Sequence, residues 1–100
     1  MQKELTYTNI INSLKAEKDF LCKEYGVIEI GLFGSYAFGT PNKDSDIDLL
    51  IEFKEPKFEH LAGLIIYLEN KFNKKIEIIR KSKNIKSRFI QGIENKVIYV

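Results

Sequence analysis

The sequence predicts an α/β (α+β) domain with a small mixed three-stranded sheet flanked by helices in the order α-β-β-α-β-α. Short runs of β-branched residues alternate with longer stretches of helical periodicity. Two of the runs, 46–53 and 75–79, flank a helix-length segment, the pattern of a βαβ unit with parallel strands and a right-handed crossover. A chain of 100 residues has room for one such core, so residues 1–100 are expected to form a single domain.

Each element follows from local pattern. Thr6 or Thr8 can cap a first helix running to about Tyr25, with Ile10, Leu14, Leu21 and Tyr25 on one stripe and Gly26 as a stop. Residues 27–33 are rich in β-branched side chains and read as the first strand. Residues 34–44 hold Gly, Pro, Asn and Asp and read mostly as turn, with a short helical turn at 35–38. The second strand is expected at 46–53. Pro56 then opens a segment in which Phe58, Leu61, Ala62, Ile65, Leu68 and Phe72 recur at helical spacing, an amphipathic helix of about four turns. "KIEII", 75–79, is a short third strand. "NIKSRFIQGIENK" suggests a last helix capped by Asn84, with Ile85, Phe89 and Ile93 on one face, and "VIYV" closes the chain as a short extended piece.

Composition bounds the function. Hydrophobic content of 44 % and charged content of 30 % are ordinary for a soluble globular protein. No apolar run approaches the roughly 20 residues of a membrane helix. The opening "MQKELTYTNI" lacks the apolar core of a signal peptide, so a cytoplasmic location is expected. The single cysteine, Cys22, cannot form an internal disulfide and reads as a reduced, half-buried thiol on a helix. The net charge of +2 hides an asymmetry: residues 1–70 carry seven Lys and twelve Asp+Glu, whereas 71–100 carry nine Lys+Arg and two Glu. Such a basic segment suits phosphates or an acidic partner, but charge alone favours a solvated lysine-rich surface.

The stretch "GLFGSYAFGTPNKDSDIDLLIEF" carries the chemistry. Asp46 and Asp48 start the second strand and, being two apart, share a face. If the βαβ strands are neighbours, Glu77 near the start of the third strand lies at the same end. A first strand antiparallel to the second brings Gly34-Ser35 there too. Converging carboxylates repel, so without a cation at least one should have a raised pKa. A hard divalent metal such as Mg²⁺, bound by carboxylate and phosphate oxygens, relieves this. Gly34 lets the backbone approach a phosphate, and Ser35 adds a hydroxyl. Together these equip the end of the sheet to transfer part of a nucleoside triphosphate to an acceptor oxygen. Each piece alone is weak. A Gly-Ser often follows a strand, an Asp-x-Asp can be a polar strand start, and Glu77 can belong to an alternating edge strand. The ordered set is far more specific: "GSYAFG", ten residues between Gly34 and Ser45, "SDIDLLI", then an acid on the next strand.

These residues resemble the signature of the DNA polymerase beta-like nucleotidyltransferase superfamily. The chain's size and its ending "NKVIYV" resemble the minimal nucleotidyltransferases of that superfamily, which are paired as antitoxins with HEPN toxins. The resemblance runs from about Thr8 to Val100. It implies that Asp46 and Asp48 hold Mg²⁺, with Glu77 as a third metal-binding and catalytic carboxylate that helps activate the acceptor hydroxyl. It implies that Gly34, Ser35 and Ser45 hold the nucleotide, ATP. Two departures stand out: many members have Arg where this chain has Phe38, and the third carboxylate is more often Asp than Glu.

Larger relatives use a second domain to bind the acceptor, and this chain has no room for one. The acceptor site is therefore expected to be completed by another polypeptide or by a homodimer. The resemblance implies transfer of AMP from ATP to a tyrosine hydroxyl of a small helical HEPN ribonuclease toxin. One alternative is a non-catalytic antitoxin that occludes its partner. Another is an RNA-end nucleotidyltransferase using the basic C-terminal third. The lack of a recognisable RNA-binding module counts against the latter, so nucleic acid is not expected as a direct partner. Among single residues, His60 reads as a surface histidine, while Tyr36 and Phe38 read as packing over the loop rather than stacking on a base. Arg80 and Lys81 follow Glu77 closely, but lysines are plentiful throughout the chain, so a solvated surface is favoured over phosphate contacts.

Overall fold

Helix formation begins where the sequence predicts it. In the computed structural model, which describes residues 6–38, 45–55, 57–81 and 97–100, Thr6 caps α1 (Tyr7–Ala16). Its Oγ1 accepts from the Asn9 N–H, and Asn9 Oδ1 accepts from the Thr6 N–H, so two donors at the helix start are satisfied reciprocally.

The single helix expected up to Tyr25 is instead two. α2 spans Lys18–Tyr25, and Glu17 between them has φ −107° and ψ 10°. No Gly or Pro marks this break. The Glu17 carboxylate accepts from the Tyr67 hydroxyl and pairs with Lys71 at 2.8 Å, both on α4 (Phe58–Phe72). Tertiary contacts thus hold the residue at which the helix is interrupted, while Leu14 and Leu21 on either side still reach the core. α2 ends at Gly26 in the left-handed region, as expected.

The remaining elements are β1 (Val27–Phe33), α3 (Ser35–Phe38), β2 (Ile47–Phe53), β3 (Ile76–Lys81) and β4 (Ile98–Tyr99). The sheet order is β3-β2-β1-β4. β2 runs antiparallel to β1 and parallel to β3, as the βαβ reading requires. The sheet has four strands rather than the expected three. β4 pairs antiparallel with β1, Gly31 opposite Tyr99 and Leu32 opposite Ile98, and the Val100 N–H donates to the Ile30 carbonyl at 2.9 Å. Gly31 makes room for this: a Cβ there would lie 2.2 Å from Val97 Cγ1. A two-residue strand leaves no periodicity to read, so only the pairing reveals it. The last helix expected at 84–96 lies outside the described residues.

Strand alternation divides the sheet into two faces. One carries Ile30, Leu32, Leu49, Ile51 and Ile76 into a core shared with Leu14, Leu21, Leu64 and Leu68 of the helices. Each such side chain contributes about 1.5–3 kcal/mol on burial. The opposite face carries Asp48, Leu50 and Glu77. Among the described residues no helix is long and apolar enough to cross a membrane.

Candidate active site

The register of three strands builds the acidic end of the sheet. Asp48 lies opposite Phe33 across the antiparallel pair and opposite Glu77 across the parallel pair. Residues directly opposite one another project to the same face. Asp46 precedes β2 and, two residues from Asp48, shares its direction.

Gly34, the residue after Phe33, closes over this group. Its φ is +76°, and a Cβ there would meet Asp48 Oδ2 at 2.2 Å. Only glycine satisfies both the left-handed backbone and the contact. The turn backbone therefore lies directly against a carboxylate.

The electrostatics carry the strain expected of such a cluster. The Asp48 carboxyl is pushed up from 3.8 to about 6, with burial the largest cause. The Glu77 charge, a hydrogen bond shared with Glu77, and the Asp46 charge add to it. Two carboxyl groups can share a hydrogen bond only with a proton between them. Among the described residues no group of three or more His, Cys, Asp or Glu side chains stands close enough together to hold a metal ion as arranged; Asp46 acts on Asp48 through its charge. The donors are all carboxylate oxygen, and a hard divalent cation would relieve the repulsion between them. Asp48 and Glu77, adjacent across β2 and β3, are oxygen donors of the kind such a cation takes, with phosphate oxygens to complete its shell.

The other expected site residues fall as follows. Ser35 opens α3 directly after Gly34 and is partly buried. Ser45 is partly buried just before Asp46, and its carbonyl accepts from Lys74 Nζ at 3.3 Å. Tyr36 is 2 % exposed and belongs to the core, so it packs rather than stacks on a base. The side chain of Phe38 lies outside the described residues.

Two expectations, on His60 and Cys22, need correction, and the disfavoured phosphate reading of Arg80 and Lys81 does not hold. Lys81 does not face the acidic end: it donates to Glu29 Oε1 at 2.9 Å and lies 3.5 Å from the Tyr99 hydroxyl. Four residues along the strand separate it from Glu77 by about 13 Å, and Arg80 projects to the opposite face. His60 is half-buried rather than on the surface, because its ring packs against Gly26 at the start of β1, where a Cβ would stand 3.2 Å from His60 Nδ1. Cys22 is exposed on α2 rather than half-buried, since the core stripe of that helix passes through Leu21.

Sequence reasoning missed Lys74. It is one of many lysines, and its position on the turn entering β3 is the feature that distinguishes it.

Comparison with known proteins identifies the family. Residues 14–100 match the nucleotidyltransferase domain model. Protein adenylyltransferase MntA of Thermococcus cleftensis is 37 % identical over 97 residues, covering 96 % of this chain and 97 % of that one. A Methanocaldococcus jannaschii relative, provisionally named a protein adenylyltransferase, is 39 % identical over 99 residues, covering 95 % and 98 %. A solved structure described as a minimal nucleotidyltransferase superposes with a TM-score of 0.79 at 24 % identity, covering 97 % of this chain and 98 % of that one. A toxin–antitoxin crystal structure with AMP-PNP shares the fold at a TM-score of 0.67 and 19 % identity, covering 95 % and 72 %. The chain belongs to the nucleotidyltransferase domain family and is a nucleotidyltransferase.

Proposed function

We propose that residues 1–100 act as one minimal nucleotidyltransferase domain that moves AMP from ATP to a tyrosine hydroxyl of a small helical HEPN ribonuclease toxin, as the antitoxin of that pair. The observation that carries this reading is Asp48 in register with Glu77 beneath Gly34, with Asp46 beside them. Relatives named protein adenylyltransferase, matched over nearly the whole chain, support a protein acceptor. A toxin–antitoxin structure with AMP-PNP on the same fold supports the nucleotide and the class of partner.

Asp46, Asp48 and Glu77 would hold Mg²⁺, and Gly34, Ser35 and Ser45 would hold the triphosphate. When bound, Mg²⁺ would supply positive charge that offsets the charge of the phosphates. The turn at Gly34 orients the nucleotide against β2. The acceptor oxygen forms a bond to the α-phosphorus as the bond to the bridging oxygen breaks and pyrophosphate leaves. Glu77, exposed on the edge of the acidic group, takes the phenolic proton.

The test is intact mass of the purified toxin after incubation with this chain, ATP and Mg²⁺. A gain of one AMP on a tyrosine is expected. An unmodified toxin in a stable, inactive complex would instead mean occlusion, and nucleotide added to an RNA end would mean a nucleic-acid enzyme.

A further inference from the structure

We infer that Lys74 is a positioning residue that ties the two arms of the nucleotide site together; this rests on the nucleotidyltransferase reading of that site. The two arms are far apart in sequence. One is the Gly34-Ser35 turn, which leads into Tyr36. The other is Ser45-Asp46, which leads into β2. A single ammonium group meets both: Lys74 Nζ donates to the Ser45 carbonyl at 3.3 Å and stands 5.7 Å from the centre of the Tyr36 ring.

Both partners are fixed points. Tyr36 is 2 % exposed, so its ring is held by the core. Ser45 immediately precedes Asp46, so its carbonyl sets where the first motif carboxylate begins. Lys74 is itself held by backbone. Asn73 ends α4 in the left-handed region with φ 53°, which turns the chain back toward the sheet. One residue beyond Lys74, the Lys75 carbonyl accepts from the Ile47 N–H at 3.0 Å. The turn is thereby stitched to β2 directly beside Asp46.

The chemistry selects a cation at this position. A neutral apolar side chain can fill the space against Tyr36, but an ammonium or guanidinium also attracts the ring face electrostatically and donates a charge-assisted bond to the carbonyl. The same charge is placed at the end of the sheet where Asp46, Asp48 and Glu77 gather. Lys74 acts through Ser45 and Tyr36, which makes it a positioning residue and not a catalytic one.

The test compares Lys74→Met, which keeps the aliphatic stem, with Lys74→Arg, which keeps charge and donors. Calorimetry with ATP and Mg²⁺ on the full chain should show affinity falling about tenfold in Lys74→Met, the scale of one lost polar contact. Lys74→Arg should restore it to within about twofold. Amide hydrogen exchange of the metal-free, nucleotide-free proteins should be faster at Asp46 and Ile47 in Lys74→Met and near wild type in Lys74→Arg. A merely structural lysine would lower Tm while leaving both readouts unchanged in the folded protein, and that result overturns the inference. Equal losses in both variants overturn it as well. If the wild type binds no ATP but exchange still responds as expected, the positioning role stands and the nucleotide reading of the site is what fails.

Discussion

Replacing Asp48 with asparagine should make the metal-free protein more stable at neutral pH, although it removes a residue from the centre of the site. The Asp48 carboxyl titrates near 6 in the fold against 3.8 ordinarily. Between those values the folded chain holds a proton that the unfolded chain releases, so stability falls as pH rises from about 4 to about 6 and stays low above it. The full difference corresponds to about 3 kcal/mol. The carboxylate is partly solvated, and screening reduces this to about 1–2 kcal/mol. Asparagine carries no charge, so it escapes the repulsion from Glu77 and Asp46, and its amide can donate to the Glu77 carboxylate. Melting curves of wild type and Asp48→Asn in EDTA from pH 4 to 8 measure this. The variant should melt about 4–10 °C higher at pH 7.5, and the gap should close toward pH 4. Adding Mg²⁺ should raise the wild-type Tm more than that of the variant. A fall of several degrees in the variant at pH 7.5, or a gap that does not change with pH, would show that Asp48 is a structural hydrogen-bonding residue and refute the reasoning.

Gly34→Ala forces a Cβ to within 2.2 Å of Asp48 Oδ2 at a backbone φ of +76°; it should cost about 1–3 kcal/mol in a denaturant melt and abolish binding of ATP with Mg²⁺. Glu77→Gln should slow single-turnover transfer by roughly 10²–10⁴ while nucleotide affinity stays near wild type, because the proton acceptor is lost and the triphosphate contacts are not. ATP binding measured by calorimetry should vanish in EDTA, since the acidic cluster repels phosphate unless a divalent cation intervenes; equal affinity with and without the metal would sink the metal-site reading.

The sequence alone determined the elements whose causes are local. Val27–Phe33 and Ile47–Phe53 follow from β-branched runs bounded by turn formers, and α4 follows from apolar residues at helical spacing. The parallel pairing of β2 and β3 follows from a helix-length connection between them. Those three facts already bring Asp46, Asp48, Glu77 and Gly34 to one end of the sheet, because side-chain direction along a strand is fixed by its period of two. Tertiary structure decided what depends on partners distant in the chain. The helix breaks at Glu17 because Tyr67 and Lys71, some fifty residues on, hold its carboxylate. "VIYV" becomes a fourth strand because Gly31 leaves space for Val97. Lys81 turns to Glu29, and Lys74, indistinguishable among sixteen basic residues, becomes the contact between the two arms of the site. Local propensity acts over a few neighbouring residues, whereas a buried charge, a packed ring or an edge pairing takes its energy from groups that only the folded chain brings within a few ångströms.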